Sequence, residues 1–271
     1  MLIICNGMAR SGSTYQYNLA KLFIEGAGTG RAHAYIAPEA ADTPLSVADE
    51  RFARWVRSDV WHVVKTHRMH PLVPQMVTEG RVRLLYIHRD IRDVAVSQKR
   101  VWGMHGDDLV QSLDKLIRVY EDVREIRELA PEYVLWQRYG DLMDEPEAVA
   151  EEIRRFLGIR ISEADYRDIV DECSLGAVKE RCGVVERDLR RRVDQLRKQD
   201  PRKAAVFLQA IGRGHGNASV VWHDTERLLL YNHISKDDGA TGVWKHVLPT
   251  KEAKLLTERY TNWLTDAGYE V

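Results

Sequence analysis

The stretch Ile4-Cys5-Asn6-Gly7-Met8-Ala9-Arg10-Ser11-Gly12-Ser13-Thr14-Tyr15 decides the fold. Leu2 to Cys5 forms an unbroken apolar run, the pattern of a strand buried on both faces of a parallel sheet. Two glycines follow, and Thr14 to Glu25 then offers Tyr17, Leu19, Leu22 and Phe23 to the inside of a helix. A strand, a glycine loop and a helix in that order make an anion cradle. The first turn of the helix presents backbone N–H groups, Gly12 lets the main chain come close, and Ser13 and Thr14 add hydroxyls.

The spacing of Gly7 and Gly12 is that of a nucleoside-triphosphate phosphate loop, but Ser13 occupies the place of its lysine. The nearest cation is Arg10, inside the loop, whose planar fork holds two oxygens at once. Magnesium-assisted phosphoryl transfer also needs a carboxylate at the end of an apolar strand. The strand Val82 to Ile87 leads instead into His88-Arg89-Asp90, with the cation first and the acid placed to cap a helix. Both departures point to a metal-free transfer from an anionic leaving group.

Further strands are expected at 61–64 and 133–136, and helices at 90–101, 109–129 and 145–157, the last framed by Pro146 and Gly158. Strands alternating with helices imply an α/β fold with a central parallel sheet, helices on both faces and a more helical C-terminal part. Ser219 to Trp222 and Arg227 to Tyr231 read as a hairpin turning at His223-Asp224-Thr225-Glu226. Thr250 is expected to cap a final helix with Ala253, Leu256, Tyr260, Trp263 and Leu264 on one face. Arg187 to Lys198 holds six basic and two acidic residues and reads as a solvated helix face.

The 271 residues suit one domain. With 40 Lys plus Arg against 41 Asp plus Glu, the net charge of −1 argues against a nucleic-acid or membrane coat, so any basic site is local. Cys5, Cys173 and Cys182 supply neither a disulfide framework nor zinc spacing, and no apolar run reaches membrane-spanning length. With no secretory signal pattern at the N-terminus, a cytoplasmic protein without a structural metal is the expectation.

Two more clusters sit where parallel sheets bind ligands, beyond the C-terminal ends of strands. Val63-Val64-Lys65-Thr66-His67 delivers Lys65 and His67 on one side of the chain. In Leu85-Tyr86-Ile87-His88-Arg89-Asp90-Ile91-Arg92-Asp93-Val94-Ala95-Val96-Ser97, a cation and a hydroxyl lie close enough to meet on one phosphate. Each has a plainer reading: a structural histidine with a snorkelling lysine, and surface pairing of Arg89 and Arg92 with Asp90 and Asp93.

Together the three segments resemble the sulfotransferases that use 3′-phosphoadenosine 5′-phosphosulfate (PAPS). The glycine loop is similar to that family's 5′-phosphosulfate loop, with Arg10 where soluble members more often carry lysine. Lys65-Thr66-His67 resembles its catalytic segment, and YIHRDIRDVAVS resembles its 3′-phosphate motif, with Arg89 and Ser97 eight apart. VLWQRYGDLMDEPEAVAEEIRRFLGI is similar to the segment around a tyrosine beside the adenine, here Tyr139. DDGATGVWKHVL resembles an RKGxxGDWKN loop at Gly239, Gly242, Trp244 and Lys245, with Asp237-Asp238 replacing the Arg-Lys pair expected to reach the 3′-phosphate.

The resemblance implies a P-loop, nucleotide-kinase-like architecture and a sulfonate transfer to an acceptor hydroxyl. His67 would be the general base, Lys65 and Arg10 would stabilise charge, and no metal would take part. Arg10, Ser11, Gly12, Ser13 and Thr14 would hold the 5′ end of the donor, with Arg89, Ser97, Lys236 and Gly239 at the 3′-phosphate and Tyr139 at the base. Residues 183–232 match nothing in the family pattern and, with 31–57, are expected to face the acceptor, a small molecule, lipid or glycan. An ATP- or GTP-dependent kinase and a non-catalytic nucleotide-binding relative remain as alternatives, and the oligomeric state is not legible.

Overall fold

The computed structural model describes residues 1–35, 46–212, 223–224, 229–230, 234 and 237–271. Its centre is a five-stranded sheet in the order β2-β3-β1-β4-β5, built from β1 (Leu2–Cys5), β2 (Gly30–Tyr35), β3 (Trp61–Lys65), β4 (Val82–His88) and β5 (Val134–Arg138). Every neighbouring pair runs parallel. The apolar run predicted to be buried on both faces is the middle strand. Leu2 and Ile4 enter the core on one face of the sheet, Ile3 and Cys5 on the other, and all four are at most 1% exposed.

Helices cover both faces. On one side lie α1 (Ser13–Gly26), α7 (Pro146–Leu157) and α8 (Glu163–Cys173). On the other lie α2 (Ser46–Val56), α3 (Val73–Thr78), α4 (Ile91–Trp102), α5 (Gly106–Leu129) and α12 (Thr250–Asp266). The short α6 (Tyr139–Asp144) follows β5 directly; α9 (Leu175–Gln199) and α10 (Pro201–Gly212) pack on one another, and α11 (Trp244–Val247) precedes α12. Asp90 caps α4 as expected, its carboxylate accepting the Arg92 N–H at 2.9 Å. Gly158 closes α7 in the left-handed conformation.

The structure corrects several expectations. β2 was not foreseen, because Gly30-Arg31-Ala32-His33-Ala34 has no β-branched residue; among the described residues it is an edge strand paired with β3. Pro131 opens a 3₁₀ turn (Pro131–Tyr133), so β5 starts at Val134 and Tyr133 stays outside it. Thr250 is the first residue of α12 rather than its cap; Pro249 takes the cap position with no side-chain hydrogen bond. His223 and Asp224, expected in the turn, form β6 (His223–Asp224), antiparallel to β7 (Leu229–Leu230), which moves the connection to 225–228. The remaining hairpin residues lie outside the described residues.

The basic run belongs to α9 and behaves as a solvated face. Arg190, Arg191 and Arg197 pair with Glu186, Asp188 and Asp194 along the helix, with side chains 60–70% exposed. Among the described residues no helix is long and apolar enough to cross a membrane, and no cluster of His, Cys, Asp and Glu has metal-binding geometry. Cys5, Cys173 and Cys182 are buried thiols, none of them in a disulfide.

His88, at the end of β4, is 1% exposed, and its Nδ1 meets the Tyr269 hydroxyl at 2.9 Å. Burial, then Arg138 and Arg127, push its pKa from 6.5 down to about 3. The unfolded chain therefore takes up a proton near pH 6.5 that the native protein refuses, so this stability is complete above that pH and drains away as pH falls towards 3. Between pH 7.5 and 5.5 the expected loss from this group is about 1.4 kcal/mol. Urea unfolding of wild type and His88→Asn at both pH values reads it; an equal pH dependence in the two proteins would mean that His88 titrates normally.

Candidate active site

The glycine loop leaves the central strand between the ends of β3 and β4 and is held as a continuation of the sheet. Asn6 N–H donates to Leu85 O and Met8 N–H to Ile87 O, both at 2.9 Å. The loop then turns through two left-handed residues, Arg10 (φ 70°) and Gly12 (φ 85°). Any side chain at Gly12 would be strained by φ and would meet Leu142 Cδ2 at 2.7 Å. Gly12 stands at the N-cap of α1, and no side chain caps the helix there. The first turn of α1 thus offers N–H groups to an anion at the loop mouth.

The predicted site residues converge on this loop. Lys65 Nζ donates to Thr14 Oγ1 at 2.5 Å. Burial first, and the Arg10 charge, lower Lys65 to about 8, with Cys5 opposing. His67 Nδ1 lies 2.7 Å from Gly7 O. A carbonyl only accepts, so Nδ1 carries the hydrogen and Nε2 is the basic nitrogen of the ring. Burial first, then the Lys65 charge, push His67 down to about 3, opposed by the bond to Gly7. The imidazole is neutral at physiological pH.

Arg10 Nε donates to Ser97 Oγ at 2.8 Å, joining the loop to α4. Arg89 NH2 donates to Ala240 O at 2.9 Å, and its guanidinium carbon sits 4.2 Å from the centre of the Tyr139 ring. Arg89 also lies 3.5 Å from Asp93, the ion pair of the plainer reading, while Arg92 is bidentate on Asp90 at 3.0 and 2.7 Å. The pairing of the plainer reading is present but buried rather than at the surface: Arg89 is 8% and Arg92 1% exposed.

Gly239 (φ 84°) brings the C-terminal loop onto α6, where an added Cβ would run into the Met143 side chain. Ser11 differs from expectation: its N–H donates to Met8 O, and its hydroxyl lies between Met8 O and Ile87 O, so it frames the loop. Ser13 is buried at the start of α1. Lys236 lies outside the described residues. Lys245 is a surface partner of Glu270.

Two features escaped the sequence reading. Asp93, read from the sequence as a surface partner of nearby arginines, accepts the N–H groups of Gly242 and Trp244 at 2.8 and 3.0 Å and so fastens the C-terminal loop over α4. Asp237 and Asp238 carry partners of their own, Arg100 and Lys179. The spacing of Asp93, Ser97 and Arg100 on one helical face is the signal that would have found the first of these pairs.

A family model described as a sulfotransferase domain matches residues 3–206. The chain belongs to the sulfotransferase family. The match runs into the segment from 183 onwards and stops short of the 237–245 loop. Sulfotransferase 1A1 of Rattus norvegicus is 30% identical over 133 residues, 44% of this chain and 46% of that protein. The Mus musculus protein of the same name is 28% identical over 131 residues, 44% and 45% of the two chains. The similarity thus spans less than half the length of these curated relatives.

Solved structures extend the likeness of fold beyond residue 206, over nearly the whole chain. Mouse sulfotransferase SULT7A1 complexed with PAP aligns with TM-score 0.58 at 14% identity, over 97% of this chain and 83% of that one. Retinol dehydratase in a complex with retinol and PAP gives 0.57 at 18% identity, over 100% and 82%.

Asp93 is 1% exposed and holds two part-buried N–H groups, so removing its carboxylate leaves both without their acceptor. Asp93→Ala is expected to cost about 2 to 4 kcal/mol in denaturant unfolding, and Asp93→Asn, which keeps one acceptor, less. Equal stability of the alanine variant and wild type would show that the loop is fastened elsewhere.

Proposed function

We propose that this chain transfers a sulfonate group from 3′-phosphoadenosine 5′-phosphosulfate to a hydroxyl of a small-molecule, lipid or glycan acceptor, as a cytoplasmic enzyme with His67 as general base. The observation that carries the reading is the His67 imidazole, neutral, with its Nδ1 hydrogen engaged by the carbonyl of Gly7, the first glycine of an anion cradle. That bond fixes the tautomer in which Nε2 accepts a proton.

The residues present fit such a donor. An uncapped helix start with Ser13 and Thr14 suits the 5′-phosphosulfate, and Arg89 with Ser97 suits the 3′-phosphate. Tyr139, under Arg89 and against Gly239, offers a ring face beside the base. When bound, the donor supplies a sulfonate whose leaving group departs as an ionised phosphate, so charge stabilisation is the main demand on the protein. His67 Nε2 takes the acceptor's hydroxyl proton. Lys65 and Arg10, the latter near pKa 10, stay largely protonated at neutral pH and meet charge growing at the reacting oxygens. The whole chain acts as one domain, with 183–232 and 31–57 turned to the acceptor.

A phosphoryl-transfer reading is disfavoured by the same contacts. The loop has Ser13 for lysine, and Asp90, the acid nearest the end of β4, is occupied as a helix cap and as the bidentate partner of Arg92.

Calorimetric titration of the protein with 3′,5′-adenosine bisphosphate, against ATP plus magnesium, tests the donor site without knowledge of the acceptor. Tight bisphosphate binding and no response to ATP is the expected result; the reverse would assign the loop to a nucleoside triphosphate. For the base, His67→Ala is expected to lower turnover by roughly two to four orders of magnitude with bisphosphate affinity nearly kept. Full turnover in that variant would remove His67 from the mechanism.

A further inference from the structure

Asp93, Ser97 and Arg100 stand at positions i, i+4 and i+7 of α4 and form one stripe along the helix. Each already touches part of the site. Asp93 holds Gly242 and Trp244, Ser97 accepts from Arg10, and Arg100 is ion-paired with Asp237. The 237–242 loop therefore lies along the stripe, and Arg89 reaches into its middle through Ala240 O. The next residue of the loop, Asp238, pairs with Lys179 on α9. Where the family pattern has two loop cations, this chain has two loop anions, each met by a cation from a helix. The charges are exchanged between loop and helices rather than lost.

We propose that Arg100 is a phosphate-binding and specificity-determining residue at the 3′ end of the donor site, oriented there by Asp237. This inference rests on the donor reading given above. A guanidinium has five N–H donors in a planar fork, and one carboxylate occupies at most one edge of it. The rest of the fork is open to a second anion, and Ser97 and Arg100 are three residues, about 4.5 Å of helix rise, apart on α4, so a phosphate that meets Ser97 is within reach of the long Arg100 side chain. Arg100 and Asp237 are 32% and 33% exposed at their side chains, so the pair stands at the rim of the site, where a ligand reaches it. Lys179 offsets Asp238 and limits the repulsion that two loop carboxylates would exert on an incoming phosphate. The loop can then be acidic and still cover a bisphosphate.

The test compares two nucleotides that differ only in the 3′-phosphate. Calorimetry with 3′,5′-adenosine bisphosphate and with adenosine 5′-phosphate is run on the full chain as wild type, Arg100→Gln and Asp237→Asn. Arg100→Gln is expected to weaken bisphosphate binding roughly 10- to 100-fold and to leave the 5′-phosphate affinity within about twofold. Asp237→Asn, which keeps the shape but loses the charge that orients the fork, weakens the bisphosphate by a smaller factor. A loss shared equally by both nucleotides makes Arg100 a brace for the loop and overturns the proposal, as does no loss. Tighter bisphosphate binding in Asp237→Asn overturns the orienting role, because the carboxylate would then be a competitor. A wild-type protein that ignores the bisphosphate altogether removes the donor reading itself, a failure visible before any variant is made.

Discussion

Everything at this site answers to one electrostatic constraint: Arg10, Lys65 and Arg89 are gathered around the mouth of a single glycine loop, with little water to screen them. Burial depresses both Arg10 and Lys65, and like charge adds to it, Arg89 acting on Arg10 and Arg10 on Lys65. Such a cluster is unfavourable by itself and is tolerated because each member is tied down by a neutral or anionic neighbour. Thr14 takes Lys65, Ser97 takes Arg10, and the Ala240 carbonyl with Asp93 takes Arg89. The free energy gained on binding a multiply charged anion is largest where protein cations have been assembled in advance.

The sheet order converts that constraint into a place. β1 lies in the middle, and its neighbours β3 and β4 were added on opposite sides, so the chain leaving β1 emerges between two strand ends rather than beside one. Lys65 comes from one side and Arg89 from the other, and the loop between them is stitched to β4 by backbone bonds from Asn6 and Met8. Rigidity of the loop therefore comes from the sheet. That explains why Ser11 is spent on framing: a loop with two left-handed residues needs internal acceptors and donors to hold its path.

The central strands, the loop and the helices at 91–102 and 146–157 were legible in the sequence because each carries a local signal: an apolar run, a glycine pair, a cap or a closing glycine. The convergence of Arg10, Lys65, His67, Arg89 and Ser97 was legible as well, since strand ends of a parallel sheet share one crevice. β2 was not, because an edge strand needs only backbone pairing on one side and Arg31-Ala32-His33 advertises none of it. The turn at 223–226 was misplaced for a related reason: His223 and Asp224 join a ladder through main-chain groups that side-chain chemistry does not report. Asp93 was read as a surface partner of nearby arginines, whereas its use is tertiary and depends on a loop 149 residues away.

The choice of arginine at position 10 follows from the same constraint. Burial and like charge bring Lys65 down to about 8, close to the point at which an ammonium begins to lose its proton in the cell. Arg10, pressed by burial and by Arg89, still stands near 10 because a guanidinium starts some two units higher. An ammonium at position 10 would start from the lower value and meet the same burial and the same two cationic neighbours, and part of the cluster's charge would be surrendered. Arginine also offers geometry that lysine lacks: Nε is committed to Ser97, and the guanidinium is a planar fork with fixed donor directions that an ammonium cannot present. The loop thus keeps a permanent charge beside a tunable one, and Ser13, standing where a triphosphate loop needs its lysine, is no longer a deficit.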